Sequence, residues 1–194
     1  MLQCTIALCL AATFAGGWGL FLTDAEFVSK EFHPLDGVFF LLELGFVVIG
    51  VATVICFSKW NYRSYANLEA MNVVDRRTTP GWAVGWYFVP FANLVMPFRV
   101  MKDLYNGSQG VPVQTSASVV NSWWVLWLMS LALAIASDAM MESFFDSQTT
   151  AKMMRQAVVV MIIAEAAAIY AALMAIKIVT DVTDAQERFY EQAA

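Results

Sequence analysis

The sequence predicts an all-α integral membrane protein, a four-transmembrane-helix bundle with a Pro-broken re-entrant segment between spans two and three. Three observations point there. Of the 194 residues, 60% are hydrophobic and 14% charged, where a soluble domain carries about 25% charged residues, and the mean hydropathy is +0.62. The apolar residues gather into runs of about 20, the length a helix needs to cross the hydrocarbon of a bilayer. Finally, residues 80–105, PGWAVGWYFVPFANLVMPFRVMKDLY, are apolar enough to enter lipid, yet Pro90 and Pro97 interrupt them, with Asn93 between.

Span one is placed at about residues 2–22. It carries small residues four apart, Ala12 with Gly16 and Ala15 with Gly19, a spacing that lets helix backbones approach closely in lipid. The stretch lacks the basic start and small-residue cleavage site of a signal peptide, so it is expected to be a retained span. An acidic loop follows, with the one histidine, His33. Span two is placed at about 35–57, with Glu43 inside it. Residues 58–79 then turn polar and basic, with Lys59, Arg63, Arg76 and Arg77 beside Trp60, Tyr62 and Tyr65. Aromatic residues next to Lys and Arg mark a membrane–water interface.

The broken segment comes next. Thr79 suits an N-cap and Pro80 the first helical position. A half-helix over residues 80–89 spans about 15 Å, half the hydrocarbon thickness, before Pro90 removes a backbone donor. Pro97 is expected to repeat the break. Residues 81–97 are read as re-entering, and 98–106 as a short interfacial helix ended by Asn106 and Gly107. Span three is placed at about 119–139, opening with Trp123, Trp124 and Trp127. Span four is placed at about 157–179, with Glu165 inside and an acidic helical tail beyond. The whole, residues 1–194, makes one membrane domain.

The positive charges decide the topology. If 81–97 does not cross, Lys59, Arg63, Arg76, Arg77, Arg99, Lys102, Lys177 and Arg188 share the side of the termini, and Lys30, Lys152 and Arg155 the other: eight against three of the 11. If it crosses, the split is six against five. Because Lys and Arg collect in cytoplasmic loops, both termini are expected in the cytoplasm and the broken segment to enter from that side.

The segments SKWNYRSYANLEAM, PGWAVGWYFVPFANLVMPFRVMKDLY, SWWVLWL and IVTDVTDAQERF occur in that order. Over roughly residues 57–189 the chain resembles a bacterial membrane-protein family catalogued as domain of unknown function 4328. The resemblance implies a small multi-span protein of the bacterial inner membrane and supplies neither catalytic residues nor substrate. The positions matching the family pattern are Trp60, Arg63, Asn67, Pro80, Gly81, Trp82, Gly85, Trp86, Pro90, Asn93 and Pro97.

Candidate functional residues follow from cost. Glu43 and Glu165 lie equally deep, about 12 Å below the outer surface by helical rise, where ionisable side chains are functional candidates by default. Facing one another, they would hold a proton or cation. Asn93, between two prolines, suits the lining of a wet cavity, since non-helical backbone at membrane depth survives only there or buried in protein. Arg76 and Arg77 with Gly81, before a helix N-terminus, are candidates for a lipid headgroup. Trp82 and Trp86 share one helical face. The structural reading competes with each: carboxylates bonded to neighbouring helices, an asparagine that caps freed backbone, arginines that merely anchor the chain.

A net charge of −5 argues against nucleic acid, which needs a basic footprint. No nucleophile–base set, zinc spacing or glycine-rich phosphate motif stands in the sequence, and no cofactor is expected. The function expected is a non-enzymatic multi-pass protein, an oligomeric scaffold, accessory subunit or sensor module, whose partners are membrane lipid and further copies or a membrane complex. The alternative is a small proton or cation channel or transporter using Glu43, Glu165 and Asn93.

Overall fold

A computed structural model of the chain describes residues 34–146 and 151–193. Span one and the acidic loop after it lie outside the described residues. Among those described, every regular element is helical: α1 is Pro34–Ala70, α2 Pro80–Gly85, α3 Met96–Ser108, α4 Ser118–Asp146 and α5 Ala151–Ala193, with 3-10 turns at Trp86–Phe88 and Ala92–Leu94.

Two of the described helices are long and apolar enough to cross a membrane, over Ser118–Met140 and Arg155–Ala193. Only 22% and 33% of their most apolar windows are buried inside the protein. The core helix of a soluble domain would instead be mostly covered. Val125, Ile135, Val159, Ile162, Ile169 and Leu173 all point outward. The first half of α1 does the same with Leu41, Val48, Val51 and Ile55.

The helices run further than the apolar runs foretell. α1 does not stop near residue 57 but continues through the polar stretch to Ala70. Trp60, Asn61, Ser64, Tyr65 and Leu68 are buried there, while Lys59, Tyr62 and Arg63 are exposed. That stripe has helical period, so charge on one face and a core on the other keep the helix going. The same holds for α5, unbroken past residue 179 because Val182, Ala185 and Gln186 continue its buried face. α4 likewise passes residue 139 to reach Asp146.

The broken segment has more structure than two prolines imply. Thr79 is extended, and its hydroxyl accepts from the Trp82 N–H at 3.5 Å, with Pro80 at the start of α2. The helix tightens to a 3-10 turn over Trp86–Phe88 and stops at Val89. Phe91 turns the chain with φ +62°, and the Asn93 N–H reaches back to the Val89 carbonyl at 3.0 Å. Pro97 breaks nothing. It lies in the first turn of α3, where its missing N–H would have had no helical partner. Nor does α3 end at Asn106 and Gly107: it reaches Ser108, and Asn106 instead closes the following loop, donating to the carbonyls of Thr115 at 2.7 Å and Val113 at 3.2 Å.

The best-buried part of the molecule is one end of this assembly. There α3 lies among the end of α1, the start of α4 and the last turns of α5. Tyr65, Leu68, Val100, Met101, Leu104, Val120, Ile178 and Val182 are sealed from solvent. Aromatic rings close the side, with Phe98 stacked on Trp124 at 6.3 Å and Trp124 on Trp127 at 4.8 Å. Gly107 sets how closely α3 meets α1. A methyl there would stand 3.1 Å from both Leu68 Cδ2 and Val73 Cγ1. Gly107→Val is therefore expected to destabilise the protein by about 1–3 kcal/mol through overpacking. Thermal unfolding in detergent beside Gly110→Val, at an open loop position, measures the packing effect against a change confined to the backbone.

Candidate functional site

The polar residues of this end are drawn together from three helices, α1, α3 and α5. Gln186 is their hub. Buried at 4% exposure, it accepts from the Asn67 amide at 2.8 Å and donates to the Ser64 carbonyl and the Ser108 hydroxyl, both at 2.9 Å. One side chain of α5 thus holds α1 and α3 at once. One turn before it, the Thr183 hydroxyl accepts from the Trp60 indole at 3.3 Å and donates to the Val179 carbonyl at 2.7 Å. The outer edge carries a second tie, where Tyr105 donates to Asp181 at 3.3 Å and Lys177 pairs with the same carboxylate at 3.0 Å.

Beneath the hub lies an ion pair. Asp103 is fully buried. Its carboxylate accepts from the Arg77 backbone N–H at 3.2 Å and faces the Arg77 guanidinium at 3.5 Å. Burial pushes the Asp103 carboxyl above its ordinary range, and Arg77 offsets only part of that rise. The neighbouring Tyr65 hydroxyl is pushed up to about 12, first by burial and then by the Asp103 charge. Such an arrangement chemically favours neutral or hydrogen-bonded forms over a free charge.

The sequence-expected residues are distributed unevenly around it. Trp60 and Asn67 belong to the hub itself. Arg77 is turned inward onto Asp103, and Arg76 meets Glu69 at 3.7 Å, so both guanidinium groups expected at a lipid headgroup already face carboxylates, while Gly81 is exposed. Trp82 and Trp86 do share a face, with ring centroids 4.7 Å apart. Gly85 permits this, since a methyl there would lie 3.1 Å from the Trp82 ring. Trp86 also donates to the Thr78 hydroxyl at 3.3 Å, fixing the start of the broken segment. Arg63 and Pro90 are exposed. Asn93 and Glu165 are half-buried and belong to other parts of the fold. The Glu43 side chain lies outside what the structure describes, so the pairing expected of the two glutamates is not placed.

Gln186, Asp103, Asn61, Ser64 and Thr183 were not singled out from the sequence. Their signal was present but weak: Asn61, Ser64, Tyr65 and Leu68 repeat with helical spacing in a stretch read as interfacial. Asp103 and Gln186 sit in segments whose charge suggests a solvated face.

A family model described as Domain of unknown function (DUF4328) matches residues 33–184. No curated protein and no solved structure matches the chain. The matched region takes in Asn61, Ser64, Arg77, Asp103 and Thr183, and stops just short of Gln186.

Two outcomes follow from the geometry. Gln186→Ala leaves Asn67 and Ser108 without their partner and is expected to cost about 2–4 kcal/mol, read as a lowered midpoint of thermal unfolding, whereas Gln109→Ala on the exposed rim should cost far less. For Asp103, the folded carboxyl binds its proton more tightly than the unfolded one. Stability is therefore greatest below the unfolded value of about 4 and is lost as pH rises through the higher folded value. Unfolding midpoints measured from pH 4 upward should fall more steeply for the native chain than for Asp103→Asn.

Proposed function

The chain belongs to the DUF4328 family, and on that premise we propose that it is a non-enzymatic protein crossing the bacterial inner membrane four times, serving as an oligomeric scaffold, accessory subunit or sensor module. One observation carries the topology. The residues on either side of the broken segment touch: Arg77 before it lies on Asp103 after it, and Gly107 packs on Leu68. A segment that left the membrane on the opposite face would separate these pairs by about 30 Å. The segment is therefore read as dipping in and returning on one side.

Supporting this, the ties from Trp60 to Thr183 and from Asn67 to Gln186 join the C-terminal ends of α1 and α5. Spans two and four then run in the same direction, as a four-span count requires. Helices of 37 and 43 residues are about 55 and 65 Å long, roughly twice the hydrocarbon thickness. Their polar ends project into the cytoplasm and carry the hub there. At the tip of the wedge Phe88 and Phe91 are exposed, at 66% and 86%, and meet lipid.

The role as a module rests on how the polar groups are used. Those of the hub bond to one another across helices, which builds a rigid end. The apolar sides of α1, α4 and α5 remain for lipid and for further copies. The expected result in lipid nanodiscs is assemblies of more than one copy by native mass spectrometry; in sealed inner-membrane vesicles of known orientation, both termini are reached by protease only from the cytoplasmic face. Single copies that conduct protons or cations in liposomes, with flux lost in Glu165→Gln, would replace this reading with a channel.

A further inference from the structure

Beside the hub, a second set of buried polar atoms is unmet by any hydrogen-bond partner among the described residues. These are both amide atoms of Asn61, the hydroxyls of Tyr65 and Tyr87, and Oδ1 of Asp103, which faces the Arg77 guanidinium at 3.5 Å but accepts no hydrogen bond from it. Asn61, Tyr65 and Asp103 are each 0% exposed. They are not scattered. Asn61 and Tyr65 are four apart on α1, so their side chains lie one above the other on one face. The Tyr87 hydroxyl lies within reach of the Asn61 amide, and the Tyr65 hydroxyl within reach of the Asp103 carboxylate, yet neither pair has the geometry of a full hydrogen bond. Phe57 covers the Tyr87 end with its ring 5.6 Å away, edge to face. The four residues form one column, from the broken segment to the Arg77–Asp103 pair.

Buried donors and acceptors are almost always met by protein or by ordered water, because desolvating them without compensation is costly. The chemistry of the column narrows its occupant. Arg77 already faces the one carboxylate, and the remaining groups are neutral, so nothing calls for an ion. Asn61 presents donors and an acceptor, and each tyrosine hydroxyl either role. An occupant that donates and accepts in turn meets all of them, and interior water binds such groups with two to four partners.

We propose that this column holds a chain of ordered water running from Tyr87 past Asn61 and Tyr65 to Asp103. The broken segment is then linked to the ion pair by a polar path through the core.

Water-edited solid-state NMR on the full chain in lipid bilayers tests this. Signals from the Asn61 amide and the Tyr65 and Tyr87 rings should gain magnetisation from water at a rate close to that of exposed Tyr62, while buried Leu68 and Met101 remain slow. Asn61→Leu, which keeps the volume and removes the polar group, should abolish transfer at Tyr87. If Asn61, Tyr65 and Tyr87 build up as slowly as Leu68, the groups bond to one another in a dry core and the proposal fails. Undiminished transfer at Tyr87 in Asn61→Leu also overturns the column, since water then reaches that ring by another route.

Discussion

The architecture depends on one amide. Gln186 joins Asn67, Ser64 and Ser108, and so fixes α1, α3 and α5 at a common end. Between apolar helices in lipid there is little hydrophobic drive to associate, because the tails are as apolar as leucine. Packing and interhelical hydrogen bonds must then supply the specificity. A hub that is satisfied on every side also sets the rotation of each helix about its axis, which apolar packing alone leaves loosely determined.

The constraint spreads outward from there. With α1 and α5 held at Asn67 and Trp60, α3 must lie between them, and Gly107 gives it the room. With α3 in place, Asp103 is buried and needs a cation, which Arg77 supplies from the loop before the broken segment. That pair anchors the loop, and the loop positions Thr78 and Thr79, which hold Trp86 and cap α2. The broken segment is thus shaped by contacts at its base. Its tip, with Phe91 at positive φ and largely exposed, makes few of its own.

Much of this was legible beforehand, for identifiable reasons. Thr79 and Pro80 announce a helix start because capping is local chemistry. Pro90 announces a stop because it lacks a donor. Pro97 misled, since the same property makes proline welcome in a first turn, and only the neighbouring chain shows which case applies. The polar residues 58–70 misled in another way. Charge content suggested an interface, yet every third or fourth residue was buried and the helix ran on. Of the site, Trp60 and Asn67 stood out by their place in the family pattern. Gln186 and Asp103 did not, because a single polar residue in a charged segment looks like any solvated one until its partner is known.

By itself the sequence determined the helical class, the outward apolar surfaces and the places where the chain is punctuated. Each depends on composition over a few neighbouring residues. Tertiary structure alone decided which polar groups meet: Asn67 with Gln186 across 119 positions, and Arg77 with Asp103 across 26. Such pairings depend on the rotation and offset of whole helices, and a turn of one residue, about 100°, would carry Gln186 away from all its partners without altering any local pattern.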